Sequence, residues 1–360
     1  MTRRRVAILF GGRSVEREVS RISARTIRDG LDPSRYEVVP IAIGPDGRFR
    51  SAAESLRLLA AAPPEKFLPD RASETFSAEI VPAEIASGRI DVVFPIVHGT
   101  TGEDGALQGF LEILGVPYVG AGVTGSALGM DKSVFKALLR DAEIPTPRSL
   151  ALGPGVADAR ARVEALGIEP PLFVKPVNGG SSVGVSKVKS WEAVGDAMAI
   201  ALRYDEKILI EEAIDARELE CAVLGDADPR ASVPGEVVPG REFYDYEDKY
   251  VDDRARLLIP APVPQRTAEA VRRLAVAVFK LCGISGMARV DFFLERGTDR
   301  LLVNELNTLP GFTAISMYPK LWEASGLPLP KLLDELIRLA IERHERRGRL
   351  LHEPPRELTS

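Results

Sequence analysis

The stretch "ARVDFFLERGTDRLLVNELNTLPG", Ala288 to Gly311, decides how this chain is read. Two apolar runs flank a turn around Gly297 and Thr298, the pattern of a β-hairpin. Side chains alternate between the two faces of a strand. Arg289, Asp291 and Phe293 therefore share a face, and so do Val303, Glu305 and Asn307 on the partner strand. With the turn centred near Thr298, Asp291 falls opposite Glu305, and Arg289 opposite Asn307. A slip of one residue would break that pairing. Two carboxylates facing each other on a buried surface repel, and something must offset the cost. A shared proton, Arg289 or a divalent cation would each do so. Three oxygen-bearing side chains, Asp291, Glu305 and Asn307, suit Mg²⁺, which takes one or two carboxylates together with phosphate oxygens. The plainer reading is a solvated hairpin face with ordinary charges.

Upstream, "FVKPVNGGSSVGVSKV" (Phe173–Val188) places Lys175 at the end of a strand, then a Gly-Ser turn, then another strand. Gly179, Gly180 and Gly184 let backbone amides turn inward around an anion, and Ser181 and Ser182 add hydroxyl donors. No Lys-Ser/Thr and no helix follow the glycines, so this is not a P-loop. It reads as a flap over phosphates or as a plain hairpin turn. Lys132 in "MDKS" stands at a predicted helix start, and with Lys175 it could reach phosphates as a point charge. The strand "ILIEEAI" ends on Glu211 and Glu212, with Glu218 soon after. Such carboxylates can accept from an adenine amino group or ribose hydroxyls, or simply face water.

The start of the chain, "RRVAILFGGRSVEREVSRISARTI", reads strand, glycine turn, helix. "YEVVPIAIG" (Tyr36–Gly44) and "IDVVFPIVHG" (Ile90–Gly99) are further strands. Strands alternating with helices imply a mostly parallel sheet. The turn lacks the G-x-G-x-x-G spacing of a dinucleotide fingerprint. Gly11 and Gly12 still bring a helix N-terminus to the strand ends, a common ligand crevice. Glu16 in that first turn complements the helix dipole or pairs with a ligand amine. His98 ends a strand facing the same crevice. Pro45 to Gly88 reads as an irregular insertion with little function. In the last helix, "LPKLLDELIRLAIERHERR", Leu332, Leu336 and Ala340 form one stripe with Leu333, Ile337 and Ile341 beside it.

The 360 residues suffice for two or three domains, and 45% hydrophobic with 28% charged residues describes a folded chain. A net charge of −5 argues against nucleic acid as the main partner. Two cysteines, Cys221 and Cys282, make a disulfide framework or zinc site unexpected. No run has the length of a membrane span, and the apolar "VAILF" is too short for a signal peptide. The cytoplasm is the expected compartment, with no membrane partner.

Taken together, "GGRSVEREVS", "HGTTGEDGALQG", "MDKSVFK", "FVKPVNGGSSVGVSKV", "FYDYEDKY", "ARVDFF" and "NELNTLPGFTAISMYP", in this order, closely resemble the D-alanine–D-alanine ligases of the ATP-grasp superfamily. The resemblance runs from about Val6 to Ala340 and omits the insertion. It implies an α/β, ATP-grasp fold with ATP between two antiparallel sheets. The expected domains are a Rossmann-like one over 1–130, ATP-grasp subdomains over 131–213 and 214–345, and a tail over 346–360, of which "LHEPPRELTS" reads as disordered. It also implies that ATP phosphorylates one D-alanine and that the amine of a second attacks the acyl phosphate. The product is D-alanyl-D-alanine for peptidoglycan precursors.

By the same resemblance, Asp291, Glu305 and Asn307 hold two Mg²⁺ ions, with Mn²⁺ as a possible substitute. Arg289 and the Gly311 amide stabilise the acyl phosphate and the tetrahedral oxyanion. Lys132, Lys175 and Lys249 contact phosphates. Glu211 and Glu218 bind adenine and ribose near Ile214, and Ser182, Phe293 and Asn304 join the nucleotide site. Glu16 holds the first D-alanine's ammonium with His98 nearby, and Ser181 and Tyr250 hydrogen-bond towards Glu16. Ser316 binds the carboxylate of the second D-alanine. Relatives often carry an aromatic residue or a Lys-Trp pair after the adenine-binding glutamate, where this chain has Glu212-Ala213. Related ligases that make D-alanyl-D-lactate lack the Lys-Tyr pair kept here as Lys249 and Tyr250. The loop around that pair and the turn "NGGSSVG" are the expected lids, and a homodimer is expected. The alternatives are D-lactate or another carboxylate–amine pair as substrates, a nucleotide-binding regulator without turnover, and a Rossmann dehydrogenase.

Overall fold

The computed structural model describes residues 3–61, 82–156, 158–239 and 256–351. Three sheets organise the described residues. In the first, β1 (Arg4–Gly11) lies between β2 (Tyr36–Ile43) and β3 (Val92–Pro95), parallel to both. A parallel sheet is covered on both faces, which is why β1 is a continuous apolar run, Val6 to Leu9, with no exposed surface. The helix Arg17–Gly30 follows the Gly11-Gly12 turn. Both glycines have positive φ, and a Cβ on Gly11 would stand 2.2 Å from the Ile43 carbonyl oxygen. Only glycine lets the chain turn this tightly against β2.

The second sheet is antiparallel, in the order β4 (Ser149–Leu152), β7 (Ile208–Glu212), β5 (Leu172–Pro176), β6 (Ser186–Val188). The third is also antiparallel, with β8 (Ala216–Gly225), β9 (Arg230–Ala231), β10 (Gly235–Val238), β11 (Arg256–Leu258), β12 (Gly286–Glu295) and β13 (Leu301–Asn307). Its order is β11-β10-β8-β12-β13, with β9 on β8. The helix Gln265–Leu281 covers one face through Val271, Ala275, Val278 and Phe279. Cys221 and Cys282 are buried free thiols in that layer, and burial pushes both thiol pKa values up to about 12.

The hairpin β12–β13 has the expected pairing of Asp291 with Glu305 and Arg289 with Asn307. Nearer the turn the register shifts: Phe292 pairs with Val303, leaving Asn304 as the extra residue of a β-bulge. This corrects the expected face of Val303. It is fully buried with Val290, Phe292 and Leu294, while Asn304 and Glu305 both line the opposite side. The break in alternation makes room for two consecutive polar residues on one face.

Two other expectations change. The insertion is not irregular throughout, because Ala52–Ala60 is a helix capped by Ser51, whose hydroxyl accepts from the Glu54 amide at 3.3 Å. Its Leu59 is buried beside β2, and Arg21 and Arg25 of the first helix donate to its C-terminal carbonyls. The last helix runs Leu329–Gly348, past the expected start of the tail at 346. Residues 352–360 lie outside the described residues. Leu332, Leu333, Leu336, Ile337 and Ala340 are buried as the stripe predicts, against β1 and β3 of the first sheet. Among the described residues no helix is long and apolar enough to cross a membrane.

Candidate active site

Two cavities meet between the antiparallel sheets. One, about 150 Å³, is walled by Lys175 and Ser182 on the β5–β6 side and by Glu218, Phe293 and Asn304 on the other. The second, about 130 Å³, reaches Glu16, His98, Asn307, Gly311 and Ser316. Lys132, Ser181, Glu220, Arg289 and Glu305 line both and mark the junction.

At the junction a row of carboxylates crosses three strands. Asp291 on β12 is paired with Glu305 on β13 and with Glu220 on β8. Left alone these charges would repel at considerable cost. Arg289 donates from Nε and Nη2 to the two oxygens of Asp291 at 2.7 and 2.8 Å. Its Nε also lies 3.0 Å from Glu220 Oε2. Burial opposes the guanidinium charge, but Asp291 and Glu220 outweigh it and hold the Arg289 pKa well above the ordinary value. Lys132 Nζ lies 2.8 Å from Glu305 and donates to the Gly179 carbonyl at 2.6 Å. Asn307 Oδ1 accepts from the Leu309 amide at 3.0 Å, which leaves a carboxamide oxygen one lone pair. Asn304 Oδ1 is buried with no hydrogen-bond partner among the described residues. Among the described residues no three His, Cys, Asp or Glu side chains converge as a metal cluster. Two carboxylates balanced by an ammonium and a guanidinium group, with two carboxamide oxygens beside them, are nevertheless a hard-oxygen donor set.

The first helix supplies the far wall. Glu16 is its N-cap residue, yet its side chain caps nothing. The carboxylate instead accepts from the Ser181 hydroxyl of the Gly-Ser turn. Ser181 and Ser182 hold φ of +49° and +58°, strained values that persist only where surroundings impose them. Gly180 allows the approach: a Cβ there would stand 2.9 Å from Glu16 Oε2. His98 is buried, its Nδ1 3.1 Å from Glu103. Burial works against the imidazolium, but Glu103 outweighs it, so the His98 pKa is raised.

Chain-wide comparison places this geometry in a family. Residues 5–121 match the model described as the D-ala D-ala ligase N-terminus, and residues 138–338 match that of its C-terminus. The chain belongs to the D-alanine–D-alanine ligase family. It is 45% identical over 346 residues to the D-alanine–D-alanine ligase of Solibacter usitatus, covering 95% of this chain and 97% of the relative. Identity to that of Thermoanaerobacter sp. is 46%, covering 97% and 99%. The structure of the Coxiella burnetii D-alanine–D-alanine ligase superposes with a TM-score of 0.81 at 39% identity, covering 97% of each chain. VanG, a D-Ala:D-Ser ligase of Enterococcus faecalis, superposes at 0.79 with 32% identity, covering 94% of this chain and 100% of that one.

Within this D-alanine–D-alanine ligase family member, most residues singled out in the sequence line the two cavities. Glu211 lines the larger one but is not turned freely towards a base. It is gripped by Lys175 at 2.6 Å and by Lys136, also at 2.6 Å. Ile214, on the link from β7 to β8, lines neither cavity. Glu212 accepts from the Arg148 backbone at 2.8 Å and pairs with its guanidinium at 2.6 Å. Ser316 Oγ accepts from the Thr313 amide at 2.9 Å, and a Cβ on Gly311 would stand 2.8 Å from it. Lys249 and Tyr250 lie outside the described residues. Sequence reading missed Glu220, Lys136 and Glu103. Glu220 stands two residues after Glu218, on the same strand face, and Lys136 follows Lys132 by one helical turn, so both signals were present.

Proposed function

We infer that the chain is an ATP-dependent D-alanine–D-alanine ligase that supplies the dipeptide for peptidoglycan precursors. The observation that carries this reading is the junction itself. A carboxylate to be activated must meet a phosphoryl donor on one side and an amine on the other. Arg289, Lys132 and Glu305 stand where the two cavities join.

In this reading ATP occupies the larger cavity, with Lys132 and Lys175 at its phosphates, Glu218 at the ribose, and Ser182, Phe293 and Asn304 along its walls. The first D-alanine sits beside Glu16, which takes its ammonium, with His98 behind. Its carboxylate oxygen attacks the γ-phosphorus, the bond to the β-phosphate oxygen breaks, and ADP leaves. The amine of the second D-alanine, its carboxylate on Ser316, attacks the acyl carbon, the C–O bond to phosphate breaks, and the nitrogen's extra proton leaves with the phosphate or to water. Arg289 and the Gly311 amide face the oxyanion that forms, the kind of contact on which acyl transfer depends most. Ser181 closes the turn over Glu16 and keeps water from the acyl phosphate. Asp291, Glu305 and Asn307 would hold Mg²⁺, which neutralises phosphate charge during transfer. Tyr250 and Lys249, retained in the sequence, favour an amine over D-lactate as acceptor.

The test is ADP release from purified protein with ATP and Mg²⁺. D-alanine should support turnover and L-alanine should not. Preference for D-lactate or D-serine as second substrate at neutral pH would reject the dipeptide assignment.

A further inference from the structure

The buried carboxylate of Glu220 has no part in the scheme above, although it touches the central cation of the site. It is 8% exposed, on β8, directly across the ladder from Asp291. Arg289 carries one hydrogen on Nε, and that hydrogen is donated to Asp291 Oδ1. Glu220 Oε2 lies 3.0 Å from the same nitrogen, a second acceptor within reach. The Nη2 edge is also committed to Asp291. Nη1 makes no hydrogen bond among the described residues, so the guanidinium, which lines both cavities, is clamped along one edge.

We propose that Glu220 is the positioning residue that holds Arg289 when Asp291 turns to a cation. This rests on the ligase reading. A divalent ion on Asp291 draws its oxygens away from Arg289, and an arginine released from its only clamp would follow or swing aside. With Glu220 beside Nε, the N–H moves from one carboxylate to the other while Nη1 keeps its aim. A buried carboxylate next to a phosphate site is electrostatically costly, and this handover is what offsets it. The same exchange eases cation entry, because Asp291 gives up one arginine hydrogen bond without leaving it unsatisfied.

The measurement compares wild type with Glu220→Gln, which keeps shape but loses charge. Calorimetry with Mn²⁺ and a non-hydrolysable ATP analogue should show the ion bound about tenfold more weakly. Steady-state kinetics at saturating Mn²⁺ should still show kcat down by about tenfold, with KM for ATP little changed, as for the loss of an outer-sphere partner. If kcat returns to the wild-type value once metal saturates, or if neither quantity moves, the proposal is wrong. Should the glutamine variant fail to fold in thermal unfolding, Glu220→Asp carries the test. It keeps the charge but withdraws the oxygens by one methylene, so the same two losses are expected. A wild type inactive on D-alanine would overturn the ligase reading instead, leaving the Mn²⁺ comparison to judge Glu220.

Discussion

At the scale of single residues, the site is a set of charges that must be balanced before any ligand arrives. Lys136 shows how far this goes. It is 1% exposed, 2.6 Å from Glu211, and donates to Thr146 Oγ1 at 3.1 Å and to the Asn304 carbonyl at 3.4 Å. Burial lowers the Lys136 pKa although Glu211 raises it. For Glu211 burial acts upward, but Lys136 and Lys175 prevail and hold the carboxyl below its usual range. Lys136 therefore lets Glu211 stay ionised beside Lys175 in the wall of the cavity that Asn304 and Phe293 also line. Lys136→Met should cost about 3 kcal/mol in urea unfolding, the low end for breaking a buried pair because Lys175 remains. KM for ATP should rise, because Lys175, already 2.6 Å from Glu211, is left to balance that carboxylate alone. Unchanged stability would show that the lysine is not paired as described. Neither effect was legible in "MDKSVFK", because sequence shows that two lysines share a helix face but not that the second is buried.

At the scale of elements, two devices set the site. One is the β13 bulge. The turn near Thr298 set which positions face each other, so the pairing of Asp291 with Glu305 was legible. The bulge was not, because Val303-Asn304-Glu305 reads as ordinary alternation until the Phe292 pairing is known. The helix Ala52–Ala60 was missed, although its Ser51-x-x-Glu54 capping signature was present, because the prolines and alanines around it read as irregular chain. The other device is the turn between β5 and β6. Its two serines carry left-handed backbone to bring Ser181 onto Glu16, and Gly180 provides the clearance. Gly180→Ala puts a methyl group against Glu16 Oε2 and must displace that carboxylate. KM for the first D-alanine should rise by about tenfold or more, since small misplacements at a reacting centre are costly. The melting temperature should hardly move, because the turn contributes little core. An equal rise in KM for ATP would instead place the defect in the flap as a whole.

At the scale of the molecule, the first and last parts of the chain share one core. Val6, Ile8 and Phe94 of the parallel sheet pack with Phe312, Tyr318 and Trp322, and with Leu332 and Leu336 of the last helix. The stripe in that helix announced a partner in the sequence, but nothing in a stripe says which sheet it covers. Phe312 ties this core to the cavity lined by Gly311 and Ser316. Its ring meets Phe94 edge-on at 6.0 Å and Tyr318 at 5.7 Å, and its amide donates to Ser23 Oγ at 3.0 Å. Gly311 precedes it and Ser316 follows it, so both inherit their places from a core built largely by another part of the chain. Two truncations separate stability from this positioning. Leu336→Ala and Phe312→Ala should each cost about 3–4 kcal/mol in denaturant unfolding, as fully buried large side chains do. Well below the melting temperature, Leu336→Ala should keep the wild-type kcat, because Leu336 lines neither cavity of the site. Phe312→Ala should lose kcat and raise KM for the second D-alanine, because the turn carrying Gly311 and Ser316 loses its anchor. Equal kinetics in the two variants would mean that the acceptor turn is held by the local Thr313–Ser316 hydrogen bonds alone, and that the shared core stabilises the enzyme without aiming it.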